Sequence, residues 1–197
     1  MKRKIEVADT GPLAEYFRHL DDLTGGAEPR CFPIRTLRPE AEVIVSVFQD
    51  IPEPKHSTAF TFGLSNLRKP KWVGGRPEVI VSVKSTDTSW ALAVGEIVGR
   101  LRETALFEIG TVFNFEDRIS GESEMTHFLL MPNSLLVPSE ARLELSDRVI
   151  NLVQMYPIFR DEAELIRKVG PEEFFFRRDI DFFDVRRKSI GRGDATS

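Results

Sequence analysis

Residues 78–107 read EVIVSVKSTDTSWALAVGEIVGRLRETALF, and this stretch joins a strand pattern directly to a helix pattern. Residues 79–83 are β-branched and apolar except for Ser82, which predicts a buried strand. Asp87, Thr88 and Ser89 then supply side chains that favour a helix start. The apolar residues that follow are three or four positions apart, and they are Trp90, Val94, Ile97, Val98, Leu101 and Ala105. This spacing predicts a long helix over residues 89–107 that packs on a sheet.

The same helix contains Gly95 and Gly99, four residues apart. Two glycines at this spacing are typical of helices that associate with each other in membranes. In a helix of a water-soluble domain they more often allow a close approach to a sheet, because glycine has no side chain to hold the two elements apart. The sequence therefore predicts tight packing of this helix on its sheet.

Outward from this stretch, the sequence predicts further strands and short helices. A first helix begins at Pro12 and ends at Gly25, and the proline-rich residues 27–39 form a loop or a short edge strand. Strands are predicted at residues 43–48, 58–64, 111–115, 125–131 and 149–158, and short helices at residues 161–169 and from Pro171. Because the strands come in consecutive groups, the predicted fold class is α+β, a mainly antiparallel sheet with a long central helix packed on it and shorter terminal helices.

The composition fits one folded domain. The chain has 197 residues, of which 41% are hydrophobic, and we expect a single domain over residues 1–178. Residues 179–197 alternate acidic with basic side chains and end in small polar residues, which predicts a charged C-terminal tail whose last ten or so residues are disordered.

Several classes of protein are disfavoured by the sequence. The longest strictly apolar run is only residues 90–94, which excludes a membrane-spanning helix. The basic N-terminus leads into no apolar segment of the kind found in secretory signals, so we expect a cytoplasmic protein, and the single Cys31 fits a reducing compartment. A net charge of −4 opposes binding to nucleic acid.

The residue pattern predicts no catalytic, cofactor or metal site. His19, His56 and His127 lack the spacing of zinc ligands, and no phosphate-binding glycine motif is present. Gly63-Leu64-Ser65 is followed by asparagine and leucine, so it is not the Gly-x-Ser-x-Gly turn of hydrolases, and a glycine that reverses the chain explains it. The enzymatic alternative is a small hydrolase that uses His56, Ser57 and a carboxylate from residues 116–124.

Charge is unevenly distributed along the chain. Residues 108–124 carry five acidic side chains and one basic one, whereas residues 177–197 carry a net charge of +2. We expect Glu116, Asp117, Glu122 and Glu124 to lie in one loop between two strands and to steer a basic protein partner by electrostatic attraction. The alternative is a solvated loop that serves only solubility.

An ordered set of short motifs resembles the Suppressor of Fused domain. The motifs span about residues 40–178, and they are TFGLS at 61–65, PEV at 77–79, Trp90, Phe107, Gly110, FLL at 128–130, VQMYPI at 153–158, the acidic residues 162–164 and Gly170. The resemblance implies a non-catalytic α+β domain that binds another protein.

The animal Suppressor of Fused protein joins such a domain to a second one, and from the length of 197 residues we expect only the first domain here. Bacterial single-domain relatives resemble immunity proteins, cytoplasmic inhibitors that bind and neutralise a toxin. The resemblance therefore implies a protein partner, for which a basic toxin domain is one candidate. It does not indicate an oligomeric state.

Overall fold

The computed structural model describes residues 10–36, 42–177 and 179–191. In chain order the elements are α1 (Pro12–Thr24), β1 (Arg30–Arg35), β2 (Glu42–Gln49), β3 (Ser57–Phe62), β4 (Arg76–Val83), α2 (Ser89–Leu101), β5 (Val112–Asn114), β6 (His127–Pro132), β7 (Arg142–Glu144), β8 (Val149–Ile158), α3 (Arg160–Val169) and α4 (Pro171–Phe175). Residues 37–41, where the predicted loop or edge strand would end, lie outside the described residues.

The eight strands form one sheet in the order β1-β2-β3-β4-β8-β6-β5, and the short β7 pairs with β8. Every pair is antiparallel except β4 with β8, which run parallel with Ile80 opposite Gln154. The prediction of a mainly antiparallel sheet in a mixed α and β fold is confirmed. Among the described residues, β1 and β5 lie at the two ends of this strand order.

Both faces of the sheet are covered. Alternate residues of each central strand point to opposite faces, so Val79 and Val81 of β4 pack with α2, whereas Ile80 packs with α1. The helices α3 and α4 cover the other half of that second face, over β6 and β8. Because both faces are covered, β2, β3 and β4 are buried along nearly their whole length.

The prediction of a long central helix is wrong, because α2 has 13 residues and ends at Leu101. Beyond that point the backbone carbonyls of Ala105 and Leu106 accept hydrogen bonds from the side chains of Lys69 and Trp72. Phe107 then takes a left-handed conformation with φ of 53°, which regular helix does not allow. Contacts with the 66–75 loop therefore replace the last turns of the predicted helix.

The predicted buried face of α2 is nevertheless confirmed. Trp90, Val94, Ile97 and Val98 are all buried in the core. A Cβ atom at Gly95 would collide with the Val45 side chain, so the predicted close packing on the sheet is confirmed as well.

Residues 179–191 pack against the rest of the domain. Phe182 and Val185 are buried, and Arg187 forms a doubly hydrogen-bonded ion pair with the buried Glu162, at Nη1–Oε1 2.5 Å and Nη2–Oε2 2.7 Å. The boundary at residue 178 stays a prediction, and the predicted disorder falls partly on residues 192–197, outside the described residues.

Candidate functional site

The sheet ends at β5, and one side of this strand has no partner in the part of the chain that the structure describes. The carbonyl of Thr111 accepts a hydrogen bond from Leu130 N, and Phe115 N donates to the Thr126 carbonyl, each at 2.9 Å. Odd-numbered residues therefore direct their backbone groups toward β6. By the alternation of antiparallel strands, the backbone N–H and carbonyl of Asn114 face away from the sheet.

The acidic loop, residues 116–124, follows directly on this edge. Its four predicted residues, Glu116, Asp117, Glu122 and Glu124, are all exposed. Ile119 and Met125 are buried beneath the loop, and the backbone N–H of Ile119 donates to the Met125 carbonyl at 3.1 Å. The loop thus has an apolar anchor, which was not predicted, beneath the four exposed carboxylates. Its binding role stays a prediction.

The four carboxylates differ in their partners. Glu124 lies 2.9 Å from Arg118 Nη2, and Glu122 lies 2.9 Å from Arg186 Nη2. Within the described ranges, Glu116 and Asp117 form no ion pair. Half of the negative charge of the loop is therefore compensated by arginines of the same chain, while the two carboxylates nearest to β5 are not.

The pairing of Glu122 with Arg186 was missed by sequence reasoning. The carboxylate of Glu122 also accepts a hydrogen bond from Ser85 Oγ at 2.6 Å, so it joins the acidic loop to the residues before α2 and to the C-terminal segment. The opposite charges of residues 108–124 and 177–197 were the only signal of this contact in the sequence.

A second link holds the acidic loop against the start of α2. Ser120 Oγ donates to Asp87 Oδ2 at 2.5 Å, and Ser89 N donates to Asp87 Oδ1 at 2.9 Å. Burial alone would raise the pKa of Asp87, but these hydrogen bonds hold it below its usual value. Asp87 therefore stays ionised near neutral pH and fixes the position of the loop.

The structure does not bring together the three residues that the hydrolase alternative requires. His56 and Ser57 are buried at the start of β3, and the carboxylate partner of His56 Nε2 is Glu53, at 3.6 Å. No hydrogen bond or ion pair connects either residue to the acidic loop among the residues described. Those residues also include no group of three or more histidine, cysteine, aspartate or glutamate side chains arranged to hold a metal ion.

The motifs around residues 61–65 and 77–79 meet at one buried carboxylate. Glu78 is fully buried, and its Oε1 accepts hydrogen bonds from Gly63 N at 2.7 Å and Ser65 N at 2.8 Å, while Oε2 accepts one from Thr61 Oγ1 at 2.7 Å. Gly63 has φ of 132°, and a Cβ atom there would lie 2.6 Å from the Glu42 carbonyl oxygen. The predicted chain reversal at glycine is confirmed.

Comparison with known protein families decides the classification. The family model described as "Suppressor of fused protein (SUFU)" matches residues 39–188. The chain belongs to the Suppressor of Fused family. Glu78 and the turn that it holds are thus part of a Suppressor of Fused domain, as the resemblance of the motifs indicated.

Solved structures share the fold. A protein named as a suppressor of fused homologue from Neisseria gonorrhoeae FA 1090 has 16% identity and a TM-score of 0.68, over 89% of this chain and 94% of that one. A chain of the Sufu–Fu complex has 15% identity and a TM-score of 0.64, over 90% of this chain and 91% of that one. Suppressor of Fused from Drosophila has 13% identity and a TM-score of 0.61, over 89% of this chain but only 50% of that one.

A search of curated protein sequences finds no match to this chain. No helix within the described residues is both long and apolar enough to span a membrane.

Proposed function

We propose that this chain is a non-catalytic binding protein that captures a basic protein partner through the open β5 edge and the acidic loop beside it. The observation that carries the proposal is the position of Glu116 and Asp117, exposed and without an ion pair among the described residues, directly after an unpaired edge strand. An added strand would gain backbone hydrogen bonds at Asn114. The uncompensated carboxylates would attract a basic chain toward that edge.

The partner in this proposal is a toxin domain, and the chain acts as a cytoplasmic immunity protein. Two observations support this partner: the net charge of −4 favours a basic one, and the occurrence of a chain with the same fold in the Sufu–Fu complex favours a protein. Electrostatic complementarity of this kind raises association rates, which suits an inhibitor that must bind its target quickly.

Substitutions at Asn114 test the edge. Asn114→Pro removes the outward backbone N–H, and proline is tolerated at an edge strand. Asn114→Ala is the matched control, because both variants lose the side-chain hydrogen bond that Asn114 Oδ1 accepts from Glu116 N at 2.8 Å. The partner is first isolated from the native host with the wild-type protein as bait, and its affinity for each variant is then measured by calorimetry.

We expect Asn114→Pro to weaken binding at least about tenfold more than Asn114→Ala, with both thermal midpoints close to that of the wild type, since an outward N–H contributes nothing to the sheet. Equal affinities of the two variants would exclude the β5 edge as the binding surface.

The immunity role has its own test, in which the partner is expressed in cells alone or with this chain. Growth arrest that the wild type relieves and Asn114→Pro does not relieve is the expected result, and normal growth with the partner alone would contradict a toxin.

A further inference from the structure

The loop between β3 and β4 is strongly basic in a chain of net negative charge. Residues 68–76 read RKPKWVGGR and contain four basic side chains and no acidic one. This basic loop lies on the outer side of the turn that Glu78 holds from within, since Arg76 Nη1 donates to the Ser65 carbonyl at 2.9 Å. The basic loop is a different surface from the acidic loop after β5.

Two guanidinium groups converge on one carbonyl oxygen. Arg148 Nη1 donates to the Ser65 carbonyl at 2.9 Å, the same distance as Arg76 Nη1. The two nitrogen atoms therefore lie no more than twice that distance apart, and two positive charges at this separation repel each other. Arg68 begins the basic loop that ends at Arg76. Burial, followed by the charges of Arg148 and Arg68, lowers the pKa of Arg76, and the charge of Asp147 opposes this shift.

Only one member of this arginine cluster, Arg68, Arg76 and Arg148, has a carboxylate partner among the residues described. Arg148 is nearly buried, at 11% exposure of its side chain, and it forms two hydrogen bonds with Asp147, at 2.8 Å and 2.6 Å. Its Nη1 also donates to Asn66 Oδ1 at 2.6 Å. Among the described residues, Arg76 donates a hydrogen bond only from Nη1, and Arg68 is exposed and forms no described hydrogen bond or ion pair. Both guanidinium groups therefore have N–H donors that are available to bind an anion.

Apolar surface lies in the same loop. Val73 is 89% exposed, and Trp72 is held by a hydrogen bond from its Nε1 to the Leu106 carbonyl at 2.6 Å. The ammonium group of Lys69 lies 5.3 Å from the centre of the Trp72 ring. Val73 lies three residues before Arg76 in the basic loop, so a peptide bound at the arginine cluster would have an exposed apolar side chain of the same loop available for packing.

The surroundings favour a short acidic peptide over nucleic acid. Carboxylates lie close to the basic side chains on several sides, with Asp147 paired to Arg148, Glu108 3.8 Å from Lys71 and Glu144 4.0 Å from Arg142. These charges would repel an extended phosphate backbone, whose binding requires several neutralised phosphates. One or two carboxylates fit, because an arginine binds a carboxylate with two parallel hydrogen bonds.

We propose that Arg68 and Arg76 form a second binding site, which takes the carboxylates of an acidic peptide segment whose apolar residue packs on Val73 and Trp72. The site is independent of the β5 edge and of the basic partner proposed for it.

Titration with a defined peptide tests this site. The probe is acetyl-Asp-Leu-Glu-amide, which carries two carboxylates, and its matched control is acetyl-Asn-Leu-Gln-amide. Binding is followed at low salt by tryptophan fluorescence, because Trp72 is partly exposed in the basic loop while Trp90 is fully buried. The acidic peptide is expected to bind with a dissociation constant below about 1 mM, which corresponds to about 4 kcal/mol, and the neutral peptide is expected not to bind.

Variants assign the binding to named residues. Arg68→Gln removes a charge without breaking a described contact and should weaken binding about threefold, whereas Arg76→Gln should weaken it at least about tenfold. Arg76→Lys keeps the charge and should give an intermediate value. Lys188→Gln, at an exposed position outside the cluster, and the double variant Glu116→Gln, Asp117→Gln should bind the acidic peptide at least as well as the wild type.

Three results would overturn the proposal. They are the absence of saturable binding by the wild type up to about 1 mM peptide, equal affinities of Arg68→Gln and the wild type, and tighter binding of a single-stranded oligonucleotide of the same charge than of the peptide. Because the peptide titration uses neither the captured partner nor the Asn114 variants that test the β5 edge, failure here and failure of the proposed function can be told apart.

Discussion

Glu78 is a fully buried carboxylate that no cation neutralises among the described residues. Its three hydrogen-bond donors come from the turn after β3 and from Thr61, whose own Oγ1 accepts a hydrogen bond from Val79 N at 2.9 Å. The hydroxyl of Tyr16 in α1 donates to the Thr61 carbonyl at 2.8 Å, so the same site also holds the first helix. The spacing of the motifs at 61–65 and 77–79 follows from these contacts.

Loss of the Glu78 carboxylate should destabilise the fold. Glu78→Ala leaves two buried backbone N–H groups without an acceptor, each of which costs about 1–3 kcal/mol. Glu78→Gln keeps an oxygen for both N–H groups and should cost less. Urea unfolding of the two variants checks this, and equal losses of free energy would show that packing, not hydrogen bonding, makes this position important.

The stability of the protein should depend on pH through the same residue. Burial raises the pKa of Glu78 above its usual value, although hydrogen bonds from Thr61, Ser65 and Gly63 oppose the shift. The folded state therefore binds this proton more tightly than the unfolded state. The resulting stabilisation is complete below the unfolded pKa and is lost as pH rises through the raised folded pKa.

The non-titrating Glu78→Gln variant isolates this dependence. The free energy of unfolding of the wild type minus that of the variant should fall as pH rises above the ordinary pKa of a glutamate. A difference that increases with pH would mean that the hydrogen bonds outweigh burial and that the pKa is lowered.

At the scale of elements, α2 is closely fitted to the sheet. A Cβ atom at Gly95 would meet the side chains of Val45 and Ile34, the latter at 2.9 Å. Gly95→Ala should therefore destabilise the protein, because overpacking costs about 1–3 kcal/mol and the gain in helix propensity is at most about 1 kcal/mol. The control is Gly121→Ala, where a Cβ atom would have no neighbour within 4 Å. A higher thermal midpoint for Gly95→Ala than for the wild type would contradict this packing.

The sequence alone could predict elements whose own pattern is strong. The strand β8 has the predicted bounds, Val149–Ile158, because apolar residues predominate along it and Pro157 lies near its end. The strand β7, Arg142–Glu144, was not predicted, since three residues with charged ends carry no strand pattern and pair only because β8 lies beside them. The parallel pairing of β4 with β8 depends on contacts some 70 residues apart in sequence, as Ile80 and Gln154 show, which no local pattern records.

The C-terminal segment is fixed by a buried ion pair. Glu162 is fully buried, and it accepts hydrogen bonds from Arg187, from Phe159 N at 3.0 Å and from Ile190 N at 3.2 Å. Arg187→Ala removes the charge that compensates Glu162 and should cost about 3–5 kcal/mol, whereas Lys188→Ala at an exposed position should change stability by less than about 0.5 kcal/mol. Urea unfolding measures both, and equal small effects would show that the segment does not contribute to the stability of the domain.

At the scale of the whole molecule, the candidate site was predictable only in part. The clustering of acidic residues after a strand predicted an exposed loop, and Glu116, Asp117, Glu122 and Glu124 do lie on one. Their different pairing could not be predicted, because Arg186 approaches Glu122 from 64 residues further along the chain. This pairing divides the loop into two compensated and two uncompensated carboxylates, a distinction that an experiment can use.

The salt dependence of association with the captured partner tests the central claim most directly. Two charge-matched double variants are compared with the wild type by stopped flow: Glu116→Gln with Asp117→Gln, and Glu122→Gln with Glu124→Gln. The double variant of Glu116 and Asp117 should associate at least about tenfold more slowly than the wild type at low salt. This difference in rate should shrink toward physiological ionic strength, where the Debye length is about 8 Å. The second pair should have a smaller effect, because Arg186 and Arg118 already compensate those carboxylates. Association rates equal to that of the wild type for the first pair at every salt concentration would contradict capture through this edge of the molecule.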